Sequence, residues 1–254
     1  MRMDIIDVFY LIYLIMMCTT GTLIIIKALK VKLTNVAFFG LLIVFNGLAS
    51  IPGILNLTYI TPIFRNIGFL FLMLFTQKTF YENKKSPFSI FLICIIIAAS
   101  TTIIIEIITL FIIDDVIMFI GDISLATSML ITFTWCAYAS LISYREVKLL
   151  DIEPHNKKRY QILGIVAFIN NIPATIYLLR APLGVVLHTD LIPLVFLGFL
   201  ITSMIAIFFY YILWFMPTSV KNYFNKGYTS KKSGTDEELS EEDLMKNIKE
   251  EIDK

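Results

Sequence analysis

Phe88-Ser-Ile-Phe-Leu-Ile-Cys-Ile-Ile-Ile-Ala-Ala-Ser-Thr-Thr-Ile-Ile-Ile-Glu-Ile-Ile-Thr-Leu-Phe-Ile-Ile113 holds a single charged residue, Glu106, in 26 positions. At 1.5 Å of rise per residue, about 20 apolar residues already cross the roughly 30 Å of hydrocarbon in a bilayer. Without water, every backbone amide must bond inside its own segment. A run this long, with no alternation of polar and apolar positions, is therefore a transmembrane helix and not a barrel strand. Similar runs recur on both sides of it. Hydrophobic residues make up 57% of the chain and charged residues 16%, against about 25% charged in a soluble domain. Mean hydropathy is +0.80. The expected fold is all-α, a polytopic membrane protein.

Seven spans are predicted, near Ile5–Ile26, Leu33–Leu55, Ile60–Phe80, Phe88–Ile113, Val116–Tyr144, Tyr160–Leu179 and Leu187–Phe215. The fifth and seventh exceed one bilayer width and should tilt or project. The first, third and fifth connections carry Lys27, Lys30 and Lys32; Lys78, Lys84 and Lys85; and Arg145, Lys148, Lys157, Lys158 and Arg159. The other connections carry Arg180 at a helix end and the acidic pair Asp114-Asp115. Eleven basic residues against one orient the bundle by the positive-inside rule, with the N-terminus outside and the C-terminus in the cytoplasm. That orientation needs an odd number of spans, as counted. Met1-Arg-Met-Asp4 enters a run too long for a signal-peptide core, so no cleavable leader is expected. Cys18, Cys94 and Cys136 fall inside apolar runs and read as small buried residues.

Three regions follow: a transmembrane domain over 1–217, a juxtamembrane segment over 218–234 and an acidic tail over 235–254. Pro217 ends the last span. Val220, Tyr223 and Phe224, beside Lys221 and Lys226, predict a short helix on the inner membrane surface. In the tail, Thr235-x-x-Glu238 and Ser240-x-x-Asp243 are capping-box patterns. Leu244, Ile248 and Ile252 then form an i, i+4 stripe, read either as one face of a solvated helix or as a docking surface for a cytoplasmic partner. Spans two and three echo spans six and seven in Phe45-Asn46…Ile51-Pro52 and Asn170…Ile172-Pro173, and in Pro62…Gly68-Phe-Leu and Pro193…Gly198-Phe-Leu. The implied plan is three-plus-one-plus-three.

Ionisable groups inside a membrane are costly, so each is a functional candidate. Arg65, Glu106 and Asp122 each lie a few residues inside the outer end of a span, a common depth of about 8–10 Å. Arg180, His188 and Asp190 would rim that layer. It is either a set of ion pairs fixing helix neighbours or an outward polar pocket for a small molecule or lipid. Deeper, Asn170-Asn171-Ile-Pro173 should kink the sixth span, with Asn46 at similar depth. Interhelical amide bonds and a solute-contacting hinge are the two readings. Gly21, Gly40, Gly47, Gly68, Gly164 and Gly198 should permit close helix contact.

Two histidines are too few for an intramembrane zinc hydrolase. No nucleophile elbow, Cys-x-x-Cys, P-loop or dinucleotide fingerprint occurs, and short inner loops leave no room for a catalytic domain. No cofactor, metal, nucleic acid or enzymatic activity is expected; membrane lipid is the expected surrounding. The layout resembles G-protein-coupled receptors, including the short helix after the seventh span. It departs from them at Thr76-Gln-Lys-Thr-Phe80-Tyr81, where an Asp-Arg-Tyr would stand. Arg65-Asn-Ile-Gly68-Phe-Leu leading into Phe75-x-x-x-x-Phe80-Tyr81, with Trp214-Phe-Met-Pro217, is similar to the seven-span sensory modules preceding histidine kinases in bacteria and archaea. The resemblance implies a stand-alone sensor that signals through a separate protein, since no kinase follows. A small-solute transporter built on the repeat, and a scaffold recruiting a partner through the tail, are the competing expectations.

Overall fold

In a computed structural model, residues 5–54, 60–82, 84–112, 115–150, 152–172, 174–175 and 192–228 are described. Among them every regular element is helical. The helices are α1 (Ile5–Lys30), α2 (Thr34–Leu48), α3 (Ile51–Ile54), α4 (Thr61–Phe80), α5 (Phe88–Thr109), α6 (Asp115–Lys148), α7 (Pro154–Ile169), α8 (Ile192–Phe215) and α9 (Thr218–Phe224). Three stretches are long and apolar enough to cross a membrane: Val8–Lys30, Phe88–Thr109 and Phe119–Lys148. A fourth is reached if Leu200–Phe215 and Thr218–Phe224, bent by 81°, count as one span. This is an α-helical membrane protein by length and composition.

Prolines set most of the punctuation. Pro62 and Pro154 stand in the first turns of α4 and α7, where a missing N–H costs nothing. Pro217 separates α8 from α9 and is the N-cap of the latter. Pro52 acts differently. Its ring opposes the carbonyl of residue 48, and α2 ends there at Leu48 before the chain resumes at Ile51. The continuous span expected over Leu33–Leu55 is thus broken at Ala49-Ser50. The fifth predicted span, here α6, is longer than expected at both ends, α5 stops at Thr109 short of the expected Ile113, and α8 begins at Ile192.

The packing order is a closed ring: α1 on α2, α2 on α4, α4 on α6, α6 on α7, α7 on α8 and α8 back on α1. The α5 helix leans against α4 and α6 from outside. Only 17% of its apolar window is buried, against 61% for α6, which packs on α4, α5 and α7. The exposed Ile90, Ile93, Ile97, Ile104 and Ile107 of α5 form the face that hydrocarbon would cover.

The tightest joint is α1 with α2. A Cβ on Gly21 would lie 2.8 Å from the Gly40 carbonyl oxygen, and one on Gly40 would lie 2.9 Å from that of Gly21. Gly47 and Gly164 likewise admit Met17 and Leu141 to within 2.7 Å of where a Cβ would stand. Gly198, expected to act the same way, has nothing within 4 Å among the described residues. Gly21→Ala or Gly40→Ala should push two backbones apart. We expect a loss of about 1–3 kcal/mol, read as a lowered thermal midpoint in detergent.

Candidate functional site

The ring encloses a cavity at mid-depth, of about 470 Å³ counting its open side, lined by residues of α1, α2, α6 and α8 and by Asn170. Asn46 and Asn170, singled out on two distant spans, both reach it, and Tyr13, Ser203 and Tyr210 add hydroxyls. Each asparagine first serves its own helix. The Asn46 amide donates to the Leu42 carbonyl at 2.9 Å and the Asn170 amide to that of Val166 at 2.9 Å. Asn170 also donates to the Tyr210 hydroxyl at 2.6 Å, tying the end of α7 to α8. Asn171 turns away and donates to Thr134 Oγ1 of α6 at 3.1 Å.

The α7 helix ends at Ile169, and Asn170 sits in a turn before helical geometry returns at Asn171-Ile172 and Ala174-Thr175. A proline at 173 has no N–H for the Ile169 carbonyl, which accounts for an ending at that residue. The expected kink therefore falls one turn earlier than the proline. Pro173 itself, with Arg180, His188 and Asp190, and with Leu244, Ile248 and Ile252 of the tail, lies outside the described residues.

Arg65, Glu106 and Asp122 stand on α4, α5 and α6, three helices that pack on one another pairwise. All three are half-buried and engage neighbouring groups. Ile105 packs 2.9 Å from where a Gly121 Cβ would be, so the residues just before Glu106 and Asp122 meet at one height. Next to Arg65, Asn66 is 3% exposed with neither amide atom hydrogen-bonded among the described residues. A side chain buried in that condition is rare. Gly68, two residues on, brings α4 to within 2.8 Å (Cβ position to amide nitrogen) of Asn46.

At the opposite end, residues of five elements gather around a larger, partly open cavity of about 890 Å³. Lys27 and Arg159 line it, over a floor that includes Ile24, Phe75, Leu163 and Leu213. Between the two cavities stands Phe39, fully buried. Its ring meets Tyr210 edge-on at 4.9 Å, Phe75 at 5.0 Å and Trp214 at 5.8 Å.

Sequence reasoning passed over a further joint near this end. The His155 backbone N–H donates to Asn225 Oδ1 at 3.0 Å, and the Asn225 amide faces His155 Nδ1 at 3.0 Å. The first turn of α7 is thereby held to the residue that closes α9. Burial pushes the imidazole below its ordinary value; Glu153 opposes that shift, whereas Arg159 and Lys221 add to it. The residues concerned are 70 apart in sequence, and no local pattern marks them.

Two outcomes follow. Tyr210→Phe removes the hydroxyl that receives the Asn170 amide and should cost about 1 kcal/mol. Combined with Asn170→Ala, its cost should fall short of the sum, measured as a double-mutant cycle on thermal midpoints. For His155, a pKa lower in the folded state means the unfolded chain binds the proton first. Its contribution is complete above about 6.5 and is lost as pH falls through that value toward the folded one. Wild type should therefore lose more stability than His155→Gln between about pH 7 and 5.5.

No family model, curated protein or solved structure matches the chain.

Proposed function

We propose that this chain is a receptor-like sensor of the cell membrane, without catalytic activity, that carries a signal from its outer half to its inner surface through α7. The observation that carries the reading is the pair of ties on that helix. Asn170 at one end is bonded to Tyr210 beside the mid-depth cavity, and His155 at the other is bonded to Asn225. A small molecule or lipid-derived cue would enter at the Arg65, Glu106 and Asp122 layer, rimmed by Arg180, His188 and Asp190. Disturbing the Asn170 tie frees the break in α7 to change its angle, and the His155 end transmits the change to α9 and the tail. A cytoplasmic signalling protein would read it there.

Seven spans fit this account, with α2 and α3 sharing one and α7 continuing beyond its break. The N-terminus is outside. The clustering of Lys27, Thr79, Asn156, Arg159 and Trp214 around one cavity supports the orientation, because it gathers the basic ends of α1, α4 and α7 at the same end of the bundle.

A second reading, a small-solute transporter, draws on Asn46 and Asn170 sharing a cavity. Their matching bonds to carbonyls four residues back suit a repeat of spans two and three in six and seven. The buried Phe39 between the cavities favours the sensor, since it fills the route a solute would take.

The two readings separate in one pair of measurements. In a background with its cysteines replaced, Leu149→Cys should react with an impermeant maleimide only from the inner side, and a cysteine at Lys158 should change its labelling rate when an outer ligand binds. Arg65→Ala should remove that response. If a broad ligand panel never alters labelling, while proteoliposomes take up a solute and Asn170→Leu stops the uptake, the transporter reading holds instead.

A further inference from the structure

The cavity at mid-depth has a lining whose hydrogen-bonding capacity is only half used. Among the described residues no charged side chain lines it. Asn170 uses both amide hydrogens, one on the Val166 carbonyl and one on the Tyr210 hydroxyl. Its carbonyl oxygen accepts nothing among the described residues, and the same holds for Asn46 Oδ1. The Tyr210 hydroxyl accepts from Asn170, but its own hydrogen has no acceptor among the described residues. Ser203, 7% exposed and on the same lining, lacks the bond to its own helix that Ser128 and Ser140 make. The rest of the lining is apolar, with the Phe133 ring and the thioethers of Met17 and Met129 in it.

An occupant must meet what the lining leaves open. An ion would be buried with no opposite charge on the lining, which is costly. A plain hydrocarbon would leave the two amide oxygens and the tyrosine hydrogen unmatched, a rare condition inside a protein. What is missing is a donor for an asparagine oxygen and an acceptor for the Tyr210 hydroxyl, and one hydroxyl group supplies both. Water supplies both as well, but sets the apolar part of the lining against a polar molecule. A ring covers that part and gains sulfur–aromatic contacts with the methionines. At about 470 Å³ counting its open side, the cavity lies toward the small end of ligand pockets, about 300–1,000 Å³, which suits one ring and not a lipid chain. We infer that the mid-depth cavity is a binding site for a small uncharged phenol. Its hydroxyl donates to the Asn46 or Asn170 oxygen and accepts from Tyr210, and its ring lies against Phe133 and Met129. The inference rests on the cavity and not on the sensor reading, which is tested by labelling at Lys158 and can fail while the cavity still binds.

The test is fluorine NMR of 4-fluorophenol, fluorobenzene and 4-fluorobenzoate, each titrated into the full chain in maltoside micelles, with protein-free micelles as the blank for partitioning. The expected result is broadening of the 4-fluorophenol line that saturates and is reversed by unlabelled phenol. Its half-saturation should lie at least about fivefold below that of the other two, the worth of about one hydrogen bond. Tyr210→Phe, which keeps the ring against Phe39, should bring 4-fluorophenol to the level of fluorobenzene. Ala206→Leu, which adds bulk to the lining, should abolish the saturable part; where that variant fails to fold, Tyr210→Phe still decides. Absence of a saturable part in wild type would overturn the assignment, since the cavity would then hold water only. So would equal binding of fluorobenzene or of 4-fluorobenzoate, which would mark a site indifferent to the hydroxyl or one for an anion. Displacement by cyclohexanol as effective as that by phenol would overturn the aromatic class. An undiminished preference in Tyr210→Phe would overturn the role of Tyr210, and full binding in a folded Ala206→Leu would place the site elsewhere.

Discussion

Hydrocarbon offers no partner to a backbone N–H or carbonyl, so each helix in this bundle must satisfy itself, and each break must be repaired from within the protein. The polar side chains obey that constraint before they do anything else. Thr76, Thr102, Ser128, Thr132 and Ser140 all donate to the carbonyl four residues back in their own helix. Asn46 and Asn170 do the same, but beside helix ends, where the regular ladder stops. Breaks thus collect polar groups, and Asn46 and Asn170 face the cavity inside the ring. The mid-depth cavity lies where two such ends, after Leu48 and after Ile169, come together.

From that follows the vertical order of the molecule. The end away from Lys27 and Arg159 carries Arg65, Glu106 and Asp122 on three mutually packed helices, with Asn66, unbonded among the described residues, beside them. The middle holds the asparagines and Tyr210. Phe39 comes next, and the cation-rimmed cavity lies under it. The α7 helix runs from the second level to the last and is tied at both ends. The α1–α2 pair, locked by Gly21 and Gly40, supplies a rigid wall against which such a helix could move.

Much of this scaffold was legible in the sequence, because hydropathy and proline act locally. The helix Thr61–Phe80 and the short helix after Pro217 fall where expected, and the break near Asn170 follows from Pro173. The break at Ala49-Ser50 was missed, although Pro52 supplies the same cause. Faces were not legible, since a helix apolar all round carries no periodic mark of its buried side. Nothing in the isoleucine-rich run of α5 told that it stands outside the ring. Contacts across long separations were hidden too. Asn170 with Tyr210 and His155 with Asn225 depend on how the ring closes, as does the cavity that Lys27 and Arg159 share. Tyr210 looked like one aromatic among the many of Phe208-Phe209-Tyr210-Tyr211.

The central claim is that α7 couples the mid-depth cavity to the inner surface. Distances between spin labels at Lys158, near the inner end of α7, and Ile90, on α5 outside the ring, test it most directly, by pulsed electron resonance in nanodiscs. Asn170 lies 12 residues from Lys158, roughly 18 Å along a helix. Asn170→Leu should nevertheless shift or broaden the Lys158–Ile90 distribution relative to wild type, and Asn171→Leu should do so less. Identical distributions in all three proteins would contradict the claim.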